Sequence, residues 1–195
     1  MKCIIVAKGP TAKKLKKSDY PDDYIVCINQ ACILVDFPDF VVMNDIDSLD
    51  GLTTNDVKHI KTFIIPEYPH INERMSPHIT KDDFIERLNQ LGYTGNVNTF
   101  NLHTAPLMKQ SLITVSPHCV TTTHTAIYYF NKKYSIQDFE TYGFLKGNGY
   151  HGQFNQIANT EQKQHIANSY NTKLNYFNNC LTKIIGTLRI NVIMY

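Results

Sequence analysis

Short apolar, β-rich runs recur along this chain at Cys3–Ala7, Tyr24–Ile28, Phe40–Met43, Thr62–Ile65, Val97–Leu102, Asp138–Tyr142 and Leu188–Ile193. The segments between them can be helical, and strands that alternate with helical segments argue a mostly parallel sheet with helices on both faces. The clearest helices are Lys81–Leu91, with Phe84, Ile85, Leu88 and Leu91 at core spacing, Thr122–Asn131, and Glu161–Cys180, where Ile166, Tyr170, Leu174 and Phe177 repeat every three or four residues. A length of 195 residues suits one well-filled α/β domain and is short for two. The expected architecture is therefore one Rossmann-like domain spanning residues 1–195.

In an open sheet of this kind ligands sit beyond the carboxyl ends of the strands, at the point where strand order reverses. The residues just after each run therefore carry the functional information. The first run ends in Lys8-Gly9-Pro10-Thr11. Gly9 lets the backbone come close to a ligand, Pro10 suits the first position of a helix, and Thr11 adds a hydroxyl beside free N–H groups. With Lys13, Lys14, Lys16 and Lys17 next in line, this turn is expected to open a basic helix and to hold a phosphate. The second run is followed by Asn29-Gln30, the third by Asn44-Asp45, and the run ending at Tyr142 by Gly143. His118 to His124, with Thr121, Thr122 and Thr123 inside it, can cap the helix it precedes and offer hydroxyls to an anion. Asn and Thr bind sugar hydroxyls, nucleobases and phosphates through neutral hydrogen bonds, so these strand ends favour a polar small-molecule cleft.

Composition removes several classes. The net charge of +2 and isoelectric point near 8.2 fall short of the basic balance of a dedicated nucleic-acid module. Five cysteines without C-x-x-C spacing read as buried free thiols. No stretch approaches the ~20 apolar residues of a bilayer span, and the first apolar run lacks the features of a signal peptide, so a soluble cytoplasmic protein is expected. The eight histidines are scattered without ligand spacing, and no metal is expected. Asp45-Ile46-Asp47 is the one D-x-D pair, and it reads equally as a loop or helix cap. The G-x-S-x-G elbow, the Walker loop and the full G-x-G-x-x-G are all missing from the sequence. A bias to Asn, Tyr, Ile and Lys, with no Trp, suggests an AT-rich genome such as that of a bacteriophage.

Ile4 to Thr11, an apolar strand running into Gly9-Pro10-Thr11, is similar to the opening of the small bacterial sialyltransferases and of related phage nucleotide-sugar glycosyltransferases, where the turn reads Gly-Pro-Ser. Cys27-Ile28-Asn29-Gln30 resembles the family's Cys-Asn-Gln segment, and Asn44 falls where the family has a second nucleotide-binding asparagine. Thr121-Thr122-Thr123 resembles its Thr-Ser-Gly helix start, and Gly143-Phe144-Leu145 stands where Gly-Ile-Asp follows a strand. His165, near Asn168 and Asn171, resembles the His-Ser-Lys-Asn segment whose histidine is the catalytic base. The resemblance implies a metal-independent glycosyltransferase, with a nucleotide-sugar donor held by Gly9, Pro10, Thr11, Asn29, Gln30, Asn44, Asp45, Thr121, Thr122, Thr123 and Gly143, and with His165 as base.

The sequence departs from that pattern at two positions. Leu145 replaces the aspartate, and Gly147 replaces the tyrosine that helps the departing phosphate, a role that Tyr150 can take. His151, in the same glycine-rich segment, competes with His165 as base, and residues 143–160 are expected to form a small lid. The acceptor is a hydroxyl of a glycan or, given the phage-like composition and local lysines, of a hydroxymethylated DNA base. Two alternatives use the same turn. One is a nucleotide-dependent pyrophosphokinase, which needs Mg²⁺ on Asp45 and Asp47, and the other a non-catalytic nucleotide-binding module.

Overall fold

The computed structural model describes residues 1–71, 74–75, 78–144 and 160–195, the side chains of 74–75 and 160–171 excepted. Seven strands form one sheet in which every pairing is parallel. They are β1 (Cys3–Val6), β2 (Tyr24–Ile28), β3 (Phe40–Val42), β4 (Thr62–Pro66), β5 (Asn96–Phe100), β6 (Asp138–Tyr142) and β7 (Asn191–Met194). Their order across the sheet is β7-β6-β1-β2-β3-β4-β5. The chain steps outward from β1 to β5, returns to the other side of β1, and steps outward again, so strand order reverses between β1 and β6.

Both faces of the sheet are covered. Ile4 and Val6 point into one core and Cys3 and Ile5 into the other, so β1 has no polar face and its sequence is apolar throughout. The first core is closed by a 3₁₀ segment (Asn29–Leu34), α1 (Thr54–Val57) and α2 (Lys81–Gln90), which contribute Ala31, Leu34, Val57, Phe84 and Leu88. The second is closed by α3 (Thr122–Tyr134) and α4 (Thr160–Leu188), through Ala126, Ile127, Phe130, Leu181 and Ile184. This division follows from handedness. Right-handed crossovers place their helices on opposite faces once the direction of stepping reverses. The fold is thus the α/β, Rossmann-like domain expected from the alternation of runs. All five cysteines are buried and free.

One ionic cluster lies at the amino ends of β2 to β4. Asp39, immediately before β3, is 5 % exposed. Its Oδ2 accepts the Ile25 N–H at 3.0 Å and lies 2.9 Å from Lys17 Nζ, while Oδ1 accepts Lys61 Nζ at 2.5 Å. The carboxylate thereby extends the β2–β3 ladder by one rung. Burial pushes the Asp39 carboxyl up, but the bonds from Lys61, the Ile25 N–H and Lys17 outweigh it and hold the group below the usual carboxylate range.

The basic helix expected after Pro10 does not form. Ala12 N–H donates to the Gly9 carbonyl at 3.0 Å, closing a turn with Pro10 at its second position. Leu15–Lys16 then pairs in parallel with Val35–Asp36, and Lys17–Asp19 makes one 3₁₀ turn. The physical reason is the lack of an apolar stripe. Between Lys8 and Tyr20 only Ala12 and Leu15 are buried, too few to seat a helix on the sheet, and Leu15 is buried instead from an extended segment. The last helix is longer than its expected 161–180 span because Leu181 and Ile184 prolong its apolar stripe, which displaces β7 to Asn191–Met194. Beyond Phe144 the expected lid lies outside the described residues. Among the described residues no helix is long and apolar enough to cross a membrane.

Candidate functional site

At the carboxyl ends of the strands polar side chains collect. Lys8 Nζ donates to Gln30 Oε1 at 2.8 Å, linking the ends of β1 and β2. Asn29 follows β2 directly and sits at φ 54°, a left-handed conformation that asparagine tolerates better than most residues. Its Oδ1 is buried and meets no donor among the described residues. Asn44, two residues past β3, is 6 % exposed. Its Nδ2 donates to Thr125 Oγ1 at 3.3 Å, and its Oδ1 likewise meets no donor among the described residues. β2 and β3 are neighbours in register, Ile28 opposite Val42, so the two amides close adjacent strands.

The bond to Thr125 brings in the start of α3. Thr121 is its N-cap, its Oγ1 accepting the His124 N–H at 3.3 Å. N–H groups of the first turn have no carbonyl partner within a helix, and the helix dipole adds partial positive charge there, so this end favours an anion. Thr121, Thr122 and Thr123 stand at the helix start expected there, and the bond between Thr125 and Asn44 sets that start against the end of β3.

Gly9, Pro10, Thr11 and Gly143 are also brought together, chiefly by contacts with one another and with β7. Gly9 N–H donates to the Gly143 carbonyl at 2.9 Å. Thr11 Oγ1 accepts the Gly143 N–H at 3.0 Å and donates to the Tyr195 carbonyl at 2.7 Å. The hydroxyl expected to face a phosphate thus pins the ends of β1, β6 and β7. Asp45 flanks the 3₁₀ turn Ile46–Leu49, and its Oδ1 lies 3.9 Å from His70 Nδ1. Among the described residues no group of three or more His, Cys, Asp or Glu side chains is placed to hold a metal ion. Tyr150 and His151 lie outside the described residues, and so does the side chain of His165, whose backbone belongs to α4.

Sequence reasoning missed a second group of residues, at the ends of β4 and β5. Glu67 directly follows Pro66, is 6 % exposed, and pairs through Oε1 with Lys109 Nζ. Its Oε2 is buried without a donor among the described residues, and Nδ1 of His103, three residues past β5, is likewise buried without a partner among them. Asn101, fully buried, binds the loop that carries Lys109. Its Nδ2 donates to the Lys109 carbonyl at 2.8 Å and to Thr114 Oγ1 at 3.2 Å, and its Oδ1 accepts the Lys109 N–H at 3.2 Å. The available signal was a glutamate directly after the apolar run Phe63–Pro66, a position where a charge needs a reason.

His124 is a structural member of the site. It is fully buried, its Nδ1 lies 2.9 Å from Thr121 Oγ1, and its ring meets Phe144 and Phe177 edge-on at 5.2 and 6.4 Å between centroids. Burial pushes its pKa down to about 4, with the Phe177 backbone opposing that shift. The folded value lies below the unfolded one, so between pH 6.5 and 4 the unfolded chain binds the extra proton and stability falls as pH falls. The expected loss from this group is on the order of 3 kcal/mol across that window. Urea midpoints measured near neutrality and near the lower end of that window should lie closer together in His124→Gln than in the wild type. An acid limb of the same depth in both proteins would rule His124 out as its source.

Comparison with protein-family models, with curated proteins and with solved structures finds no match for the chain. Fold and site define a Rossmann-like protein whose polar residues collect at the carboxyl edge of β1 to β5.

Proposed function

We propose that this chain is a sialyltransferase-like glycosyltransferase that binds a nucleotide-sugar at the carboxyl edge of β1 to β3 and transfers the sugar to a hydroxyl acceptor. The observation that supports the reading best is the pair Asn29 and Asn44. Two buried amide oxygens, without donors among the described residues, stand at adjacent strand ends, and one of these amides is tied to the first turn of α3. An unmet buried acceptor costs about 1–3 kcal/mol, so a ligand that supplies donors is favoured. A nucleotide offers an exocyclic amine or ribose hydroxyls to the amides and a phosphate to the helix start.

In such a transfer the acceptor oxygen attacks the anomeric carbon, the bond from that carbon to the phosphate oxygen breaks, and the hydroxyl proton passes to a base. The first turn of α3 favours the charge that grows on the leaving phosphate. The resemblance assigns the base to His165, with His151 as its competitor, and gives Tyr150 the support of the phosphate.

Calorimetry with CMP, UMP and GMP, followed by mass spectrometry of their sugar derivatives with and without EDTA, tests the reading. One nucleotide is expected to bind, with affinity lowered about tenfold or more in Asn44→Ala and in Asn29→Ala. Slow donor hydrolysis that survives EDTA is expected as well. Failure of all three nucleotides to bind at millimolar concentration counts against the site, and turnover that needs Mg²⁺ favours the pyrophosphokinase alternative through Asp45 and Asp47.

A further inference from the structure

The nucleotide reading leaves the Glu67 group unused. Glu67 N–H donates to the Phe100 carbonyl at 2.8 Å, which seats Glu67 beside the end of β5. His70 N–H donates to the Asn44 carbonyl at 2.8 Å, so the segment after β4 runs beside the end of β3. Glu67 therefore stands at the end of the strand next to the one that carries Asn44. One of its oxygens is matched by Lys109, while the other, though buried, meets no donor among the described residues. His103 Nδ1, at the end of the neighbouring strand, is likewise buried without a partner among them.

The chemistry of these atoms restricts what can complete them. A carboxylate oxygen only accepts, so the missing group must be a donor. Lys109 already balances the carboxylate charge, which removes the incentive for a further cation, and a phosphate would be repelled by the carboxylate. A neutral hydroxyl fits Glu67, and an imidazole nitrogen can also exchange a hydrogen bond with a hydroxyl. Of the lysines between Lys8 and Lys17, two lie away from Glu67: Lys13 Nζ sits over the Tyr142 ring at the end of β6, 4.2 Å from its centroid, and Lys17 pairs with Asp39 at the amino ends.

Building on the nucleotide-sugar reading, we propose that Glu67 and His103 form its acceptor subsite, in which Glu67 Oε2 accepts a hydrogen bond from a hydroxyl of a neutral carbohydrate. Lys109 and Asn101 act through Glu67 and its covering loop as positioning residues. Saturation-transfer NMR on the full chain, with and without CMP or UDP, provides the test, using methyl β-D-galactopyranoside, methyl α-D-glucopyranoside and 5-hydroxymethyl-2′-deoxycytidine as probes. At least one glycoside is expected to bind, with affinity reduced about fivefold or more in Glu67→Ala and also lowered in Glu67→Gln. Nucleotide affinity of the Gln variant should stay at the wild-type value, and its thermal unfolding should remain a single cooperative transition. Glycoside binding that is unchanged in both variants overturns the proposal, as does binding of no glycoside or of the deoxycytidine alone. Because the glycosides are also measured without nucleotide, loss of CMP and UDP binding alone would indict the nucleotide site and leave Glu67 standing.

Discussion

Gly143→Val is expected to destabilise the fold by about 3 kcal/mol or more, with Gly9→Val close behind it. Gly143 has φ +73°, and a Cβ there would lie 2.6 Å from the Ala7 carbonyl oxygen and 2.9 Å from Gly9 N. A Cβ on Gly9 would lie 2.5 Å from the Gly143 carbonyl oxygen. These obstacles are backbone atoms, held in place by the hydrogen bond between the two glycines and by the β1–β6 pairing, so rotating a side chain cannot relieve them. The left-handed conformation alone costs a β-branched residue roughly 1–2 kcal/mol, and separating the strand ends adds the loss of packing between them. For a chain of this size the melting temperature should drop by roughly 6–12 °C. Urea unfolding of both variants checks this, and a stability within about 1 kcal/mol of wild type would refute the packing account of either glycine. The pair also bears on ligand binding. Any loss of nucleotide affinity in Gly9→Val must first be separated from loss of the fold.

Asp39→Ala is expected to cost about 2–4 kcal/mol, measured in the same way, with Asp39→Asn costing less because an amide oxygen can still accept the Ile25 N–H. This magnitude comes from the buried partners. Ile25 is fully buried, so its N–H would lose its acceptor, and Lys17 is largely covered, whereas Lys61 is mostly exposed and water can replace the carboxylate there. The pH dependence has a definite sign. The folded carboxyl titrates below its unfolded value, so its contribution is complete above the unfolded pKa and is lost as pH falls through the folded one. The wild-type advantage over Asp39→Asn should therefore shrink in acid and stay level around neutrality. Should Asp39→Ala melt with the wild type, the carboxylate is not a rung of the ladder.

The two edges of the sheet differ in how completely their buried polar groups are matched. At its amino ends, ion pairs such as Lys2–Glu140 and Lys17–Asp39 bind strands to one another and have their partners. At its carboxyl ends, Asn29, Asn44 and Glu67 hold buried oxygens that the described residues leave unmet. That difference is the one that matters for a ligand, since a site that must receive donors cannot already be filled with them.

Much of this was legible in the sequence. A strand buried on both faces must be largely apolar, so runs such as Cys3–Val6 and Tyr24–Ile28 announced themselves, and Thr121 at the start of α3 could be read because a cap is a local hydrogen bond. The same holds for the residues at the strand ends, whose place beyond the sheet follows from strand position alone. The chain between β1 and β2 could not be read in this way. Glycine, proline and a run of lysines satisfy the local rules for a helix start, and only the lack of an apolar stripe to bury against the sheet made it a turn and an extended segment.

The role of Gly9 was equally nonlocal. Its small size was evident, but whether that space belongs to a ligand or to the backbone of Gly143 depends on a partner 134 positions away along the chain, 143 less 9. Glu67, His103 and Lys109 went unnoticed for the same reason, since nothing within a few residues of each marks them as neighbours. Local hydrogen bonding and burial periodicity are properties of short segments and can be read from them. The meeting of strand ends at the carboxyl edge is decided by the order of strands in the sheet, which exists only once the crossovers have been made.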